Sequence, residues 1–278
     1  MSRFEAVNAQ DVRSYWNSRP CNIRHSRALV GTRQYFDEVE QRKYCVENHI
    51  PSFAEFERWR GKQVLEIGCG IGTDTMNFAR AGARVTAVDI SEESIAVAKQ
   101  RAALLGLNNI TFYHADAEAL SATVPLKNFD LIYSFGVIHH TPHPERAIAE
   151  IRKYMGSDSV LKMMVYHRWS WKVFWILATY GRFAFWDLER LVARHSEAQT
   201  GCPVTYCYSR SSVAKLLHGF DISRADIHHI FPYRIQDYVN YRYVKVWYFR
   251  ILPEPLFRWL ERRFGWHLCV TAHLHKAA

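Results

Sequence analysis

Val64-Leu65-Glu66-Ile67-Gly68-Cys69-Gly70-Ile71-Gly72-Thr73-Asp74 is the stretch from which the rest of the chain can be read. A short apolar run carrying one acid meets three glycines on alternate positions, and a helical pattern begins near Thr73. This is the pattern of a strand, a tight turn and a helix N-terminus, the opening unit of a doubly wound α/β sheet. The glycines let a ligand lie against bare backbone where a Cβ would collide with it. A glycine-rich turn that only packs a helix on a strand would look the same in isolation, so the later strand ends must decide.

The turn also discriminates between ligands. A dinucleotide-binding G-x-G-x-x-G needs a third glycine where this chain has Thr73. Glu66, at the strand end, would repel a pyrophosphate; it suits a ligand with a cationic amine and sulfonium and no phosphate. Arg84 to Val88 reads as the second strand and ends in Asp89, 21 residues after Gly68 and 19 after Gly70. That spacing places a carboxylate on a ribose hydroxyl pair. Ser91 then caps a helix with Glu92 and Glu93 in its first turn. Asn109 to His114 is the third expected strand, with Asp116-Ala117 just beyond it, and Phe129 to Ser134 the fourth, followed by Phe135-Gly136-Val137-Ile138-His139-His140-Thr141. Pro144 to Tyr154 reads as a helix and Ser159 to Val165 as the fifth strand.

The acid with Gly-x-Gly-x-Gly, the acid at the second strand tip, Asp116-Ala117 and the F-D-L-I-Y-S-x-G-V-I-H-H run together resemble the motifs of class I S-adenosylmethionine-dependent methyltransferases. The last run is similar to the quinone-biosynthesis-like, small-molecule subfamily. The resemblance covers residues 62–165. It implies S-adenosyl-L-methionine as cofactor, held by Glu66, Gly68, Cys69, Gly70, Gly72, Asp89, Ile90, Asp116, Ala117 and Ser134. It also implies a mostly parallel seven-stranded sheet with an antiparallel last strand. Residues 1–60 form an N-terminal helical segment in this reading, 61–165 the cofactor-binding core, and 166–278 the end of the sheet with substrate-cap insertions.

Methyl transfer from a sulfonium mainly requires alignment of the nucleophile and exclusion of water, with a general base only if the nucleophile carries its proton. His139, with His167 behind it, is the expected base, because both lie after strands at the ligand-binding edge and imidazole has a suitable intrinsic pKa. Methylation of exocyclic base amines is disfavoured, since Ser134-Phe135-Gly136-Val137 stands where an Asn or Asp-Pro-Pro-aromatic run is expected. Cytosine C5 chemistry is discounted because Pro20-Cys21 precedes the first strand, and no cysteine spacing demands arsenite chemistry. The rivals that stay open are an RNA- or protein-modifying methyltransferase and a non-catalytic binder of the cofactor.

The net charge of +9 is uneven: residues 1–164 hold 20 Lys+Arg and 19 Asp+Glu, and residues 165–278 hold 16 and 8. Seven of the nine tryptophans lie in that second part. The segments Trp169–His195 and Pro232–Phe264 are expected to pack together as an aromatic cap over the acceptor, with Tyr206, Tyr208 and Tyr233 as polar contacts. The partner expected is a small-molecule acceptor, aromatic or amphiphilic. Nucleic acid is disfavoured, and peripheral contact with an anionic membrane stays open. The six cysteines form no C-x-x-C pair, so no metal ligand set and no disulfide framework is expected. No apolar run approaches the ~20 residues of a membrane span and the N-terminus lacks a signal-peptide core, so the expected location is cytoplasmic. Nothing in the sequence fixes the oligomeric state.

Overall fold

Seven strands form one sheet in the order β3-β2-β1-β4-β5-β7-β6 in the computed structural model, which describes residues 4, 6–181, 185–196 and 201–275. The strands are β1 (Gln63–Ile67), β2 (Arg84–Asp89), β3 (Ile110–His114), β4 (Phe129–Phe135), β5 (Met155–Tyr166), β6 (Phe220–His228) and β7 (His267–Leu274). The neighbours from β3 across to β5 pair in parallel, and β7 runs antiparallel to both β5 and β6. The sheet is therefore doubly wound and mostly parallel, with its last strand reversed.

Helices cover both faces. Before the sheet lie α1 (Ala9–Ser18), α2 (Arg33–Val46) and α3 (Ile50–Ala54). Within it come α4 (Thr73–Arg80), α5 (Glu92–Leu104) and α6 (Pro144–Arg152). After β5 follow α7 (Trp171–Tyr180), α8 (Leu188–His195), α9 (Arg210–Leu216), α10 (Ile235–Tyr238), α11 (Trp247–Ile251) and α12 (Glu254–Phe264). Among the described residues, no helix is long and apolar enough to cross a membrane.

Side chains alternate across a strand, so each central strand feeds two cores. Leu65, Ile67, Ile132, Leu161 and Met163 pack in one with Ile148, Ile151, Val213 and Leu217. Val64, Leu131, Tyr133 and Val160 pack in the other with Phe78, Ile95 and Trp59. Burial on both faces explains why these strands are near-continuous apolar runs.

Two boundaries differ from the sequence reading. The fifth strand starts at Met155, not Ser159, because Met155 pairs with Phe129 ahead of a bulge. Ser159 Oγ secures that irregularity, accepting from Gly156 N at 2.8 Å and donating to Phe129 O at 2.5 Å. Phe183 to His195 reads in the sequence as one aromatic-rich helix; among the described residues it is a short 3₁₀ turn, Phe185–Asp187, followed by α8. Phe183 itself lies outside the described residues.

Candidate cofactor cleft and the neighbouring sheet edge

The strand order reverses between β1 and β4, and in open α/β sheets ligands bind beyond the strand C-termini at such a switch point. A cleft enclosing about 780 Å³, its mouth included, lies there. Its walls come from four strand ends: Ile67, Gly68 and Gly70 after β1; Val88, Asp89 and Ile90 at β2; Ala115, Asp116 and Ala117 after β3; and Phe135 to Val137 with His140 to Pro142 after β4. Ala9, Val12 and Trp16 of α1, together with Cys21, close the remaining side.

Local geometry fixes each wall. Gly68, Gly70 and Gly72 all have positive φ, +78, +53 and +79. A Cβ at Gly68 would stand 2.0 Å from Val137 Cγ2, so the β1 turn and the β4 loop meet backbone to side chain. Asp89 holds the turn from below: Oδ2 accepts from Gly70 N at 2.7 Å and Oδ1 from Ser91 N at 2.8 Å. Burial raises its pKa, and those two amides partly counter the shift. A carboxylate so fixed keeps lone pairs facing the cleft for hydroxyl donors. Asp116 caps the 3₁₀ turn Ala117–Ala122 and accepts from Glu118 N at 2.9 Å, presenting a second acid at the β3 end.

The sequence-selected residues thus divide. Gly68, Gly70, Asp89, Ile90, Asp116 and Ala117 line the cleft. Glu66, Cys69, Gly72 and Ser134 are not among its lining residues. Glu66 is buried and accepts from Thr75 Oγ1 at 2.5 Å. Burial first, then the neighbouring Asp74, push its pKa up to about 8, with Thr75 and Lys43 opposing. Asp74 is itself held by Lys43 Nζ at 2.8 Å and by the hydroxyls of Tyr44 and Tyr133 at 2.9 and 3.0 Å. Ser134 is fully buried, and its Oγ has no hydrogen-bond partner among the described residues.

The expected bases also separate. His139 is fully buried, and neither ring nitrogen has a hydrogen-bond partner among the described residues. Its ring packs 3.8 Å from that of Tyr166 and 4.2 Å from that of His140, and burial keeps it neutral. His140, which does line the cleft, turns Nδ1 to the Val204 carbonyl at 2.8 Å. His167 places Nδ1 3.1 Å from the Gly265 carbonyl and is not a lining residue.

The cap segments touch as expected, Trp171 of α7 meeting Tyr248 and Phe249 of α11 with ring centroids 5.9 and 5.8 Å apart. The cleft at β1–β3 is nevertheless closed by α1, and neither cap segment contributes to its lining. Tyr206 Oη donates to the Pro142 carbonyl at 3.2 Å, Tyr233 bridges to Lys245, and burial raises the pKa of Tyr208. The N-terminal helical segment, which the family resemblance expects either to fold over the cofactor or to cover the sheet edge, supplies this wall through Trp16 and α1, a helix the sequence reading did not delimit. The signal was Asn8-Ala9-Gln10-Asp11, whose two side chains form a reciprocal capping box at the helix start. Also unanticipated is a cluster at the far end of the same edge, where Glu47, His229 and His267 bring ligand atoms within 4.8 Å of one another.

Comparison with known proteins agrees with this architecture. The profile of a methyltransferase-domain family matches residues 59–198, half of the chain. A ubiquinone biosynthesis O-methyltransferase of Coxiella burnetii is 42% identical over 89 residues, which is 32% of this chain and 37% of that protein. One of Aromatoleum aromaticum is 36% identical over the same length and the same shares. The chain thus spans only 37% of the length of these curated relatives. Among solved structures, magnesium protoporphyrin IX methyltransferase from Synechocystis, with bound SAH, superposes with a TM-score of 0.61 over 96% of this chain and 100% of that one. At 18% identity, that likeness concerns the fold. With the family profile over half its length and the strand-end acids and glycine turn in place, the chain belongs to the methyltransferase-domain family.

Proposed function

We propose that this protein transfers the methyl group of S-adenosyl-L-methionine to a small aromatic or amphiphilic acceptor in the cytoplasm. The observation that carries the reading is the cleft at the switch point, where two acids from the β2 and β3 ends face a glycine turn that presents bare backbone. Asp89 would accept from the ribose hydroxyls and Asp116 from the adenine side, while Gly68 and Gly70 admit the ligand's methionine end. Cys69, Gly72, Glu66 and Ser134 would act from behind the wall, shaping the turn and its charge. The cofactor supplies an already activated methyl group, so the protein's part is to hold the nucleophile in line and exclude water.

His139 is the base in this reading. A buried neutral imidazole whose two nitrogens have no partner among the described residues can take one proton from an acceptor hydroxyl or amine. His167, tied to Gly265, serves as a positioning residue for the end of β5. The relatives named as ubiquinone O-methyltransferases and the magnesium protoporphyrin methyltransferase support a small acceptor over a polymer. Exposed Trp169, Trp186, Trp247 and Ile251 in the basic second part support a further contact, with an anionic lipid surface from which an amphiphilic acceptor is drawn.

The test is transfer of label from methyl-labelled S-adenosylmethionine into a cell extract fractionated into small molecules, lipid, RNA and protein. Label in the small-molecule or lipid fraction is expected. Label confined to RNA or protein would overturn the small-acceptor reading, and no transfer with intact cofactor binding would leave only a binding protein.

A further inference from the structure

Beyond the cofactor cleft, three residues far apart in sequence converge. Glu47 is the C-cap of α2, His229 follows β6, and His267 opens β7. The antiparallel register puts His228 opposite His267, which brings His229 to the same edge. His229 is held at φ 71, a left-handed conformation uncommon for a residue with a side chain. Trp266 N, donating to its carbonyl at 2.7 Å, fixes it there.

The proton count at His267 is informative. Its Nδ1 lies 3.1 Å from His49 Nε2, and its Nε2 lies 3.6 Å from Glu47 Oε1. A hydrogen bond between two neutral imidazoles uses one N–H. If His267 donates to His49, its Nε2 carries a bare lone pair facing a carboxylate, and two acceptors oppose each other. If His49 donates, the proton on His267 Nε2 stops beyond ordinary hydrogen-bond reach of Glu47. A cation between them resolves the first arrangement. That arrangement is also the one found around metals, where a ligating histidine donates its other ring N–H to a fixed partner.

We propose that Glu47, His229 and His267 bind one divalent first-row transition metal, with His49 orienting His267, and that the metal takes an acceptor hydroxyl or thiol as its next ligand. Two imidazoles and one carboxylate are a donor set of catalytic zinc and non-haem iron sites, which keep a coordination position open. The position suits an acceptor. Phe135, a wall of the cofactor cleft, packs its ring edge-on to His267 with centroids 5.5 Å apart, so the two sites share one aromatic partition. The acceptor clause rests on the methyl-transfer reading; the metal clause does not.

The experiment uses untagged full-length protein, stripped with chelator and titrated with Co²⁺, then Zn²⁺. Expected are one cobalt per chain with the visible band of a low-coordinate nitrogen and oxygen site, its displacement by zinc, and a zinc-dependent rise in Tm reversed by chelator. His267→Gln and Glu47→Gln should each weaken cobalt binding by at least ~10-fold, and His49→Gln by ~10–100-fold. His228→Gln, which removes only a ring stacked on His49, should leave it unchanged. S-adenosylmethionine binding, followed in parallel, should be unaffected by the four variants. Absence of saturable cobalt binding by the parent protein, or equal binding by all variants, overturns the metal site. Cobalt binding as expected without methyl transfer to any small acceptor upholds the metal and overturns the acceptor clause alone.

Discussion

Replacing Glu66 by Gln should make the protein more stable at neutral and alkaline pH. The carboxyl is buried beside Asp74, and its pKa is pushed up to about 8 from an ordinary 4.5. A carboxyl whose folded pKa lies above its unfolded one binds more protons in the folded state between the two values. Its contribution to stability is therefore complete at low pH and is lost as pH rises from about 4.5 to about 8. Each tenfold change in proton affinity is worth ~1.4 kcal/mol, so the full displacement corresponds to ~5 kcal/mol, an upper figure for an ion whose cluster can relax. Gln preserves an oxygen for the Thr75 hydroxyl and carries no charge. Urea unfolding at a series of pH values should show the variant gaining on the parent steadily across this window, by a few kcal/mol at its upper end. Parallel stability profiles for the two proteins would refute the buried, protonated carboxyl. The same group predicts a linked effect: a cationic ligand in the adjacent cleft favours the ionised form, so binding at neutral pH should release a fraction of a proton. Calorimetry in buffers of different ionisation enthalpy measures that release, and Glu66→Gln should abolish it.

Asp89→Ala removes the acceptor of two backbone amides as well as the proposed ribose contact; losing one charge-assisted bond costs ~1.5–3 kcal/mol, so calorimetry should show S-adenosylmethionine bound ~10–100-fold more weakly. Gly68→Ala combines a left-handed backbone, costing ~1–2 kcal/mol for an ordinary residue, with a Cβ placed 2.0 Å from Val137 Cγ2. Binding should be lost with a lowered Tm, and Val137→Ala should rescue it only in part, because Val137 Cβ still stands 2.9 Å away. His139→Ala should lower kcat by ~10²–10⁴-fold with cofactor affinity intact; a steady-state loss below ~10-fold at saturating acceptor would remove His139 from the chemistry.

The legible parts of this molecule are those whose partners are close in sequence or fixed by strand position. Glycines and acids at the ends of β1, β2 and β3 announce a ligand edge because a strand end and the turn after it form one local unit. Asp89 and Asp116 could be placed without knowing any long-range contact. The position of His139 behind the wall, rather than on it, could not, since the 3₁₀ turn at Ile138–His140 decides which of two adjacent histidines faces the cleft. The bounds of α1 were hidden for a different reason. Its only buried member is Val12, and what places it is contact with α5 and the bond from Ser91 Oγ to the Trp16 carbonyl. The cluster of Glu47, His229 and His267 was invisible because His229 and His267 become neighbours through the antiparallel pairing of β6 with β7, and Glu47 joins them from the end of α2.

That reversal also divides the labour along the edge. Strands β1 to β3 supply the acids and the glycine turn, and their cleft is closed by α1. Strands β5 to β7 supply instead a bank of rings: Tyr166 stacks on Trp266 at 4.0 Å, and His267 packs on His229 at 4.6 Å. Phe135, ending the parallel strand between the two groups, touches both. In-line displacement needs donor and nucleophile on opposite sides of the transferred carbon. A sheet edge with a carboxylate-lined cleft on one side of Phe135 and imidazoles on the other meets that need without moving a domain. In the methyl-transfer reading proposed above, the basic, tryptophan-rich second part would have a physical place: Trp171 and Trp266, packed inward, would build the acceptor side, while Trp169, Trp247 and Trp259 are exposed on the outer surface. An acceptor with an apolar body would meet the outer aromatics first and the imidazoles last.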